Sequence, residues 1–229
     1  TLQHSPPMRI ALIGGTGAIG AGLALRWAKD TDHEIVIGSR DPERAREAAA
    51  EYQQTASEYG SAAKVTGFEN AMAADRAEVI ILAVPPYHIA ATIEAIADRL
   101  TAGDVLVSPA AGLRRDEAGF HSRPPSAGSV TQLAAEVAPA AVPVVGAFHN
   151  LAAGRLAALD AALEVDTLVV GDDEQAVQTT MALAAEIDGL RPVYAGGIGV
   201  AAEIEGLTAV LINIAESNAE MADLGVRFR

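Results

Sequence analysis

The chain has no cysteine, which removes disulfides, thiolate nucleophiles and cysteine-ligated metals from consideration. Lysine is almost missing as well, with Lys29 and Lys64 as its two examples. Aromatic residues make up 4% of the chain, and there is one tryptophan. No uninterrupted run of about 18 apolar residues is present, so no transmembrane segment is expected. The stretch from Thr1 to Pro7 lacks the positive start and apolar middle of a signal peptide and reads as a disordered leader over residues 1–7. Positive charge is the scarcer sign: 16 Lys and Arg stand against 30 Asp and Glu, a formal net charge of −14. A basic face for nucleic acid is therefore not expected. Any anionic ligand must be met by arginines gathered locally, with Arg40, Arg44, Arg46, Arg114, Arg115 and Arg123 available. The histidines and carboxylates show no metal-ligand spacing, and no metal site is expected.

What the chain does have is a short apolar run, Ile10-Ala11-Leu12-Ile13, leading into Gly14-Gly15-Thr16-Gly17-Ala18-Ile19-Gly20. The amphipathic stretch that follows, Ala18 to Lys29, has the composition of a helix. Strand, glycines and helix in that order form a dinucleotide-binding fingerprint. Gly15 is expected to permit the tight turn, Gly17 to let the backbone approach a pyrophosphate, and Gly20 to let the helix pack on the strand. Thr16, Ala18 and Ile19 then lie where a helix N-terminus offers free N–H groups to an anion. An NAD site would place a carboxylate about 20 residues further on, for the ribose 2′-OH. Here the second strand ends in Ser39 and Arg40, with Arg44 one helical turn later. A hydroxyl and two guanidinium groups suit the 2′-phosphate of NADP.

Buried-strand runs alternate with helical stretches along the rest of the chain, which predicts a doubly wound parallel α/β sheet of Rossmann type. Strands are expected at Arg9–Ile13, Glu34–Gly38, Lys64–Gly67, Val79–Val84, Val105–Ser108, Val142–Ala147 and Thr167–Val170. The clearest helix runs from Pro42 to Tyr59. The fourth strand ends in Val84-Pro85-Pro86-Tyr87, which, with His88, is expected to line the nicotinamide side. From Pro109 to Ser129 the sequence is irregular. That segment, which includes Ala110, reads either as a cover over a second substrate or as a surface excursion. Val142 to Asn150 ends a strand with His149 and Asn150 at its carboxyl edge, where open sheets bind ligands. His149 is the polar side chain best placed to donate a hydrogen bond to the hydride partner, unless its neighbours merely pin it there. Residues 8–150 are read as the nucleotide-binding domain. Residues 151–229 are read as a smaller C-terminal α/β part with a helix at Glu174–Ile187, a short strand at Val193 and a final apolar helix from Ala201 to Leu224. That helix packs on the sheet or on a second subunit.

Met8 to Gly17, Ile37-Gly38-Ser39-Arg40, Gly171-Asp172-Asp173, Glu186 to Pro192 and Leu224 to Phe228 together resemble the F420-dependent NADP reductase family, and the likeness spans nearly the whole chain from Met8. The resemblance implies a cytoplasmic, dimeric oxidoreductase that moves a hydride reversibly between NADPH and the deazaflavin coenzyme F420, the latter held in a cleft against the C-terminal part. Thr16 and Gly17 then match the family's pyrophosphate turn. Ser39, Arg40 and Arg44 match its 2′-phosphate clamp, Pro85 its nicotinamide-side loop, and His149 a histidine near the deazaflavin. For the proton that deazaflavin reduction needs, His149 and Thr208 are named by position, beside water or a backbone amide. Two segments depart from the family. Ala202 to Gly206 lacks an Arg and a Ser expected there, and residues 110–129 diverge, with Arg114 and Arg115 as replacements for the lost charge. The alternatives are an NADPH-dependent reductase of a flavin, a ferric chelate or a small carbonyl, and a non-catalytic NADPH-binding regulatory protein.

Overall fold

The apolar run ahead of the glycines forms strand β1 (Arg9–Ile13), which lies inside an eight-stranded sheet in the computed structural model. The structure describes residues 7–218 and 220–229. After β1 come α1 (Ala18–Asp30), β2 (Glu34–Ser39), α2 (Pro42–Glu58), β3 (Val65–Glu69), α3 (Asn70–Ala74), β4 (Val79–Leu82), α4 (Ile89–Ile96) and β5 (Val105–Ser108). The second half holds β6 (Leu113–Asp116), β7 (Gly119–Ser122), α5 (Val130–Val137), β8 (Val144–Gly146), α6 (Ala153–Ala157), β9 (Val165–Val170), α7 (Glu174–Ala185), β10 (Leu190–Gly196) and α8 (Ala201–Ser217).

Across the sheet the order is β3-β2-β1-β4-β5-β8-β9-β10. Every pairing is parallel except β8 with β9, which meet antiparallel at Gly146 and Val170. The chain winds outward from β1 in one direction and resumes from β4 in the other, so the crevice between the carboxyl ends of β1 and β4 is a topological switch point. Both faces of the sheet are covered. Ile10, Leu12, Ile35 and Ile37 pack with Trp27 on one side, while Ala11, Ile13, Ile80 and Leu82 pack with Ile89, Ile93 and Ile96 on the other. This is the period-2 alternation of a strand buried on both faces, and it explains why these strands read as continuous apolar runs.

Helix starts follow local chemistry. Asp41 accepts from the Glu43 and Arg44 amides at 3.0 and 3.4 Å to open α2, with Pro42 in its first turn. Ser129 and Asp173 open α5 and α7 in the same way, accepting from Gln132 N and Ala176 N. Arg26 on α1 is wholly buried and donates to the carbonyls of Arg155, Leu156, Ala158 and Ala161 at 2.7–2.9 Å. It thereby satisfies backbone acceptors in and beyond α6.

Several expectations need correcting. Residues 109–129 are not irregular throughout, because Leu113–Asp116 and Gly119–Ser122 pair as an antiparallel hairpin. Its strands are short and charged, so no apolar alternation announces them. It is held by a contact distant in sequence, in which Asn213 of α8 accepts from Phe120 N and donates to Phe120 O, each at 2.7 Å. The short strand at Val193 is the edge strand Leu190–Gly196. β9 and β10 extend the main sheet. The final helix stops at Ser217, and the chain beyond it returns along β9, where Asp166 N donates to Val226 O at 2.7 Å. Contrary to the expectation from sequence, Ile198–Ser217 is long and apolar enough by length and composition to cross a membrane. In the folded chain it lines the cavity with Thr208 and Leu211, and its own Glu205 is buried against α5. The leader read at residues 1–7 lies, apart from Pro7, outside the described residues.

Candidate functional site

The turn after β1 is built around glycines that a side chain could not replace. The left-handed backbone falls on Gly14 (φ +76°), not on Gly15, and a Cβ there would sit 2.7 Å from Ala83 O and from Val84 Cγ1. Gly15 donates to Leu12 O and Gly38 O, and its own carbonyl accepts from the buried Tyr52 hydroxyl of α2 at 3.2 Å. A Cβ on Gly20 would lie 2.7 Å from Gly15 Cα, which is the close helix-to-turn packing expected there. Gly17 caps α1 with no side-chain hydrogen bond, so no side chain covers the first-turn amides after Thr16, those of Ala18 and Ile19 among them. The result is a concave set of donors at the positive end of a helix.

At the tip of β2, Ser39 is buried and Arg40 and Arg44 are exposed. Ser39 Oγ accepts from Asp41 N at 3.2 Å, which leaves its proton to donate. Among the described residues neither Arg40 nor Arg44 has an ion-pair partner, whereas Arg46 is paired with Glu43. Two arginines without an ion-pair partner thus follow Ser39 closely in sequence on a chain that is acidic as a whole. The hairpin arginines differ. Arg115 pairs with Glu216 at 3.2 Å, and Arg114 joins His121 on Asp116, whose carboxyl is thereby held down at about 2.

Beside the cradle opens a cavity of about 600 Å³. Ile19 from α1 and Val84 from the β4 loop form the wall nearest the glycines, Ala110 and Leu113 come from the segment before and in the hairpin, and Thr208 and Leu211 come from α8. Glu216 and Asp223 stand at it too, and no Lys or Arg is among its described lining residues. Pro86 also lines it, while Pro85 and His88, on the same loop, are exposed and not among its lining residues.

The segment after β8 reaches the cavity through a strained residue. Phe148 is buried with φ +67°, its ring edge-on to Trp27 at 5.7 Å, and its amide donates to Thr167 Oγ1. His149 and Asn150 follow, both buried and both lining the cavity. Asn150 uses its amide internally, donating to Asp166 O at 2.7 Å and accepting from Leu168 N at 3.4 Å. His149 is held from two sides. Thr208 Oγ1 donates to its carbonyl at 2.9 Å, so that hydroxyl proton is committed, and Thr131 Oγ1 lies 3.4 Å from its Nε2. Burial pushes its imidazole down to about 4, and the ring is neutral at neutral pH. Nδ1 is buried with no protein partner.

Behind Thr131 stands Glu205, 2% exposed in the second turn of α8. It accepts from Val130 N, Thr131 N and Thr131 Oγ1, all at 2.9 Å. Burial raises its carboxyl above the ordinary value against these hydrogen bonds. Sequence reading did not single out Gly14, Phe148, Thr131 or Glu205. The available signal was for Glu205, a carboxylate at an inward position of an otherwise apolar helix, which requires a buried partner.

This geometry agrees with what the chain is similar to. The family described as NADP oxidoreductase, coenzyme F420-dependent, matches residues 9–112. F420-dependent NADP reductase of Methanocaldococcus jannaschii is 37% identical over 210 residues, covering 90% of this chain and 92% of that protein. The enzyme of the same name from Methanothermobacter marburgensis is 35% identical over 223 residues, covering 96% and 97%. A crystal structure from Arthrobacter sp. FB24, carrying a provisional F420-dependent NADP reductase name, superposes with a TM-score of 0.77 at 24% identity over 97% of this chain and 99% of that one, which shows the shared fold.

Proposed function

Since the chain belongs to the F420-dependent NADP reductase family, we propose that it moves a hydride reversibly between NADPH and the deazaflavin coenzyme F420. The observation that carries this reading is the meeting of two sites at one wall. The glycine cradle lies at the start of α1, and Ile19 of the same helix, with Val84, bounds the apolar cavity. NADPH, when bound, supplies the hydride, and the protein's contribution is alignment. The cradle fits a pyrophosphate because Gly14, Gly15 and Gly20, where a Cβ would collide with neighbouring atoms, keep the turn tight against α1, and because Gly17 leaves the start of that helix without a side-chain cap. Ser39, Arg40 and Arg44 hold the 2′-phosphate, and their unpaired charge selects NADP over NAD. Val84, Pro85 and His88 border the nicotinamide side, and Ala110, His149 and Thr208 border the second ring. Holding both rings against one wall makes the transfer effectively intramolecular.

In this division of labour, residues 8–150 hold the nucleotide and residues 151–229 close the cleft over the second substrate. We infer a cytoplasmic homodimer working on soluble cofactors, with neither nucleic acid nor membrane as a partner. Support for a second copy comes from α8, where Val210 and Ile214, one turn apart, are 51% and 38% exposed, and from Tyr194, 52% exposed on β10.

The test is to mix the protein with oxidised F420 and either NADPH or NADH and follow loss of the deazaflavin's visible absorbance. Rapid bleaching with NADPH and slow bleaching with NADH is expected. A second reading, an NADPH-dependent reductase of a small carbonyl, a flavin or a ferric chelate, draws on the cavity's lining, which has carboxylates and no described cation. Tight NADPH binding without bleaching would favour it, and absence of turnover with every acceptor would leave a regulatory NADPH-binding protein.

A further inference from the structure

We propose that Glu205 is a positioning residue that decides, through Thr131, which nitrogen of His149 carries the proton. The three side chains form one chain buried between α8, α5 and the β8 loop, with exposures of 2%, 0% and 4%. A threonine hydroxyl has a single proton to give. At 2.9 Å it faces Glu205 Oε1, and the other described groups bonded to that carboxylate are backbone amides, those of Val130, Thr131 and Gly112. A carboxylate ringed by donors offers only lone pairs, so the Thr131 proton points at Glu205 and the Thr131 lone pair points at His149 Nε2. Across that 3.4 Å contact His149 must be the donor. A neutral imidazole carries one proton, and placing it on Nε2 leaves Nδ1 as a bare acceptor. Nδ1 is a buried atom that lacks a protein partner, and His149 lines the cavity.

The consequence reverses the expectation from sequence, in which His149 donates to a carbonyl. As held here, it accepts, and the ligand edge it satisfies is an N–H or O–H. Among the described residues no Lys or Arg forms an ion pair with Glu205, so no opposite charge competes for its lone pairs. What this means for turnover rests on the reading that His149 faces the second substrate. The tautomer itself is a property of the protein alone.

The experiment is ¹⁵N NMR of histidine-labelled protein without ligands, reading which ring nitrogen is protonated. In the wild type, Nε2 should carry the proton. Thr131→Val removes the hydroxyl while keeping both amides on Glu205, so the proton should redistribute toward Nδ1, and Thr131→Ser should restore the wild-type spectrum. Glu205→Gln can turn an amide N–H toward Thr131 and should move the proton to Nδ1 as well. If that variant does not fold, Thr131→Val carries the same test. A wild type protonated at Nδ1, or a Thr131→Val spectrum unchanged from wild type, would overturn the assignment. In turnover, Thr131→Val should lose about tenfold in kcat with KM for NADPH unchanged, the worth of one buried hydrogen bond. A shifted tautomer with unaltered kcat would uphold the role of Glu205 and remove His149 from the reaction.

Discussion

Acidification should destabilise this fold through His149 in particular. The ring is held near 4 by burial, against an ordinary 6.5 that it regains when the chain unfolds. Between those values the unfolded chain binds a proton that the folded one does not. Stability therefore rises with pH across this window and falls as pH drops through it. The contribution is fully present above about pH 6.5, is reduced by about 2 kcal/mol at about pH 5, and approaches a loss of about 3 kcal/mol near pH 4. No other protein group is bonded to Nδ1, so nothing in the described structure offsets the cost of charging the ring. The assay is urea unfolding of the wild type and of His149→Asn from about pH 7.5 to about pH 4.5. Other groups titrate in both proteins, and the difference isolates His149. The wild-type stability should fall more steeply than the variant's by about 2 kcal/mol at about pH 5. Parallel curves would refute the placement of a neutral, buried imidazole at this position.

Three further outcomes are expected. Arg40→Ala should raise KM for NADPH by about 10- to 100-fold, the worth of a charge-assisted hydrogen bond, and leave NADH nearly untouched; equal losses with both cofactors would remove the 2′-phosphate assignment. Gly14→Ala must place a Cβ 2.7 Å from Ala83 O at a left-handed φ, so chemical denaturation should show a loss of at least about 1–2 kcal/mol. Val210→Glu puts charge on the exposed face of α8, and sedimentation equilibrium should then find a monomer where the wild type sediments as a dimer. A wild-type monomer would withdraw the proposed interface.

The nucleotide half was legible because its signals are local. A β1 buried on both faces reads as an apolar run, and the glycines follow within a few residues, so cradle and strand are one sentence of sequence. Even there, the left-handed φ at Gly14, where a Cβ would meet Ala83 and Val84 just after β4, was not legible, because those residues lie about 70 positions further along the chain. The second site is written in fragments. His149 was visible at a strand end, but its neighbours Thr131 and Glu205 come from other elements, with Glu205 74 residues beyond Thr131. The hairpin from Leu113 to Ser122 depends on Asn213, 93 residues away from Phe120. Its own strands, carrying Arg114, Arg115 and Asp116, give no periodic signal to read. The strain at Phe148 leaves no trace in composition, since an aromatic residue is not one that turn chemistry selects for positive φ.

Arg26 ties α1, whose first turn forms the cradle, to the carbonyls around α6, where the chain beyond the cavity's Ala152 and Ala153 turns back. The helix that opens the cradle and a wall of the neighbouring cavity are thus joined through one buried side chain, so a substitution at Arg26 should loosen both sites together.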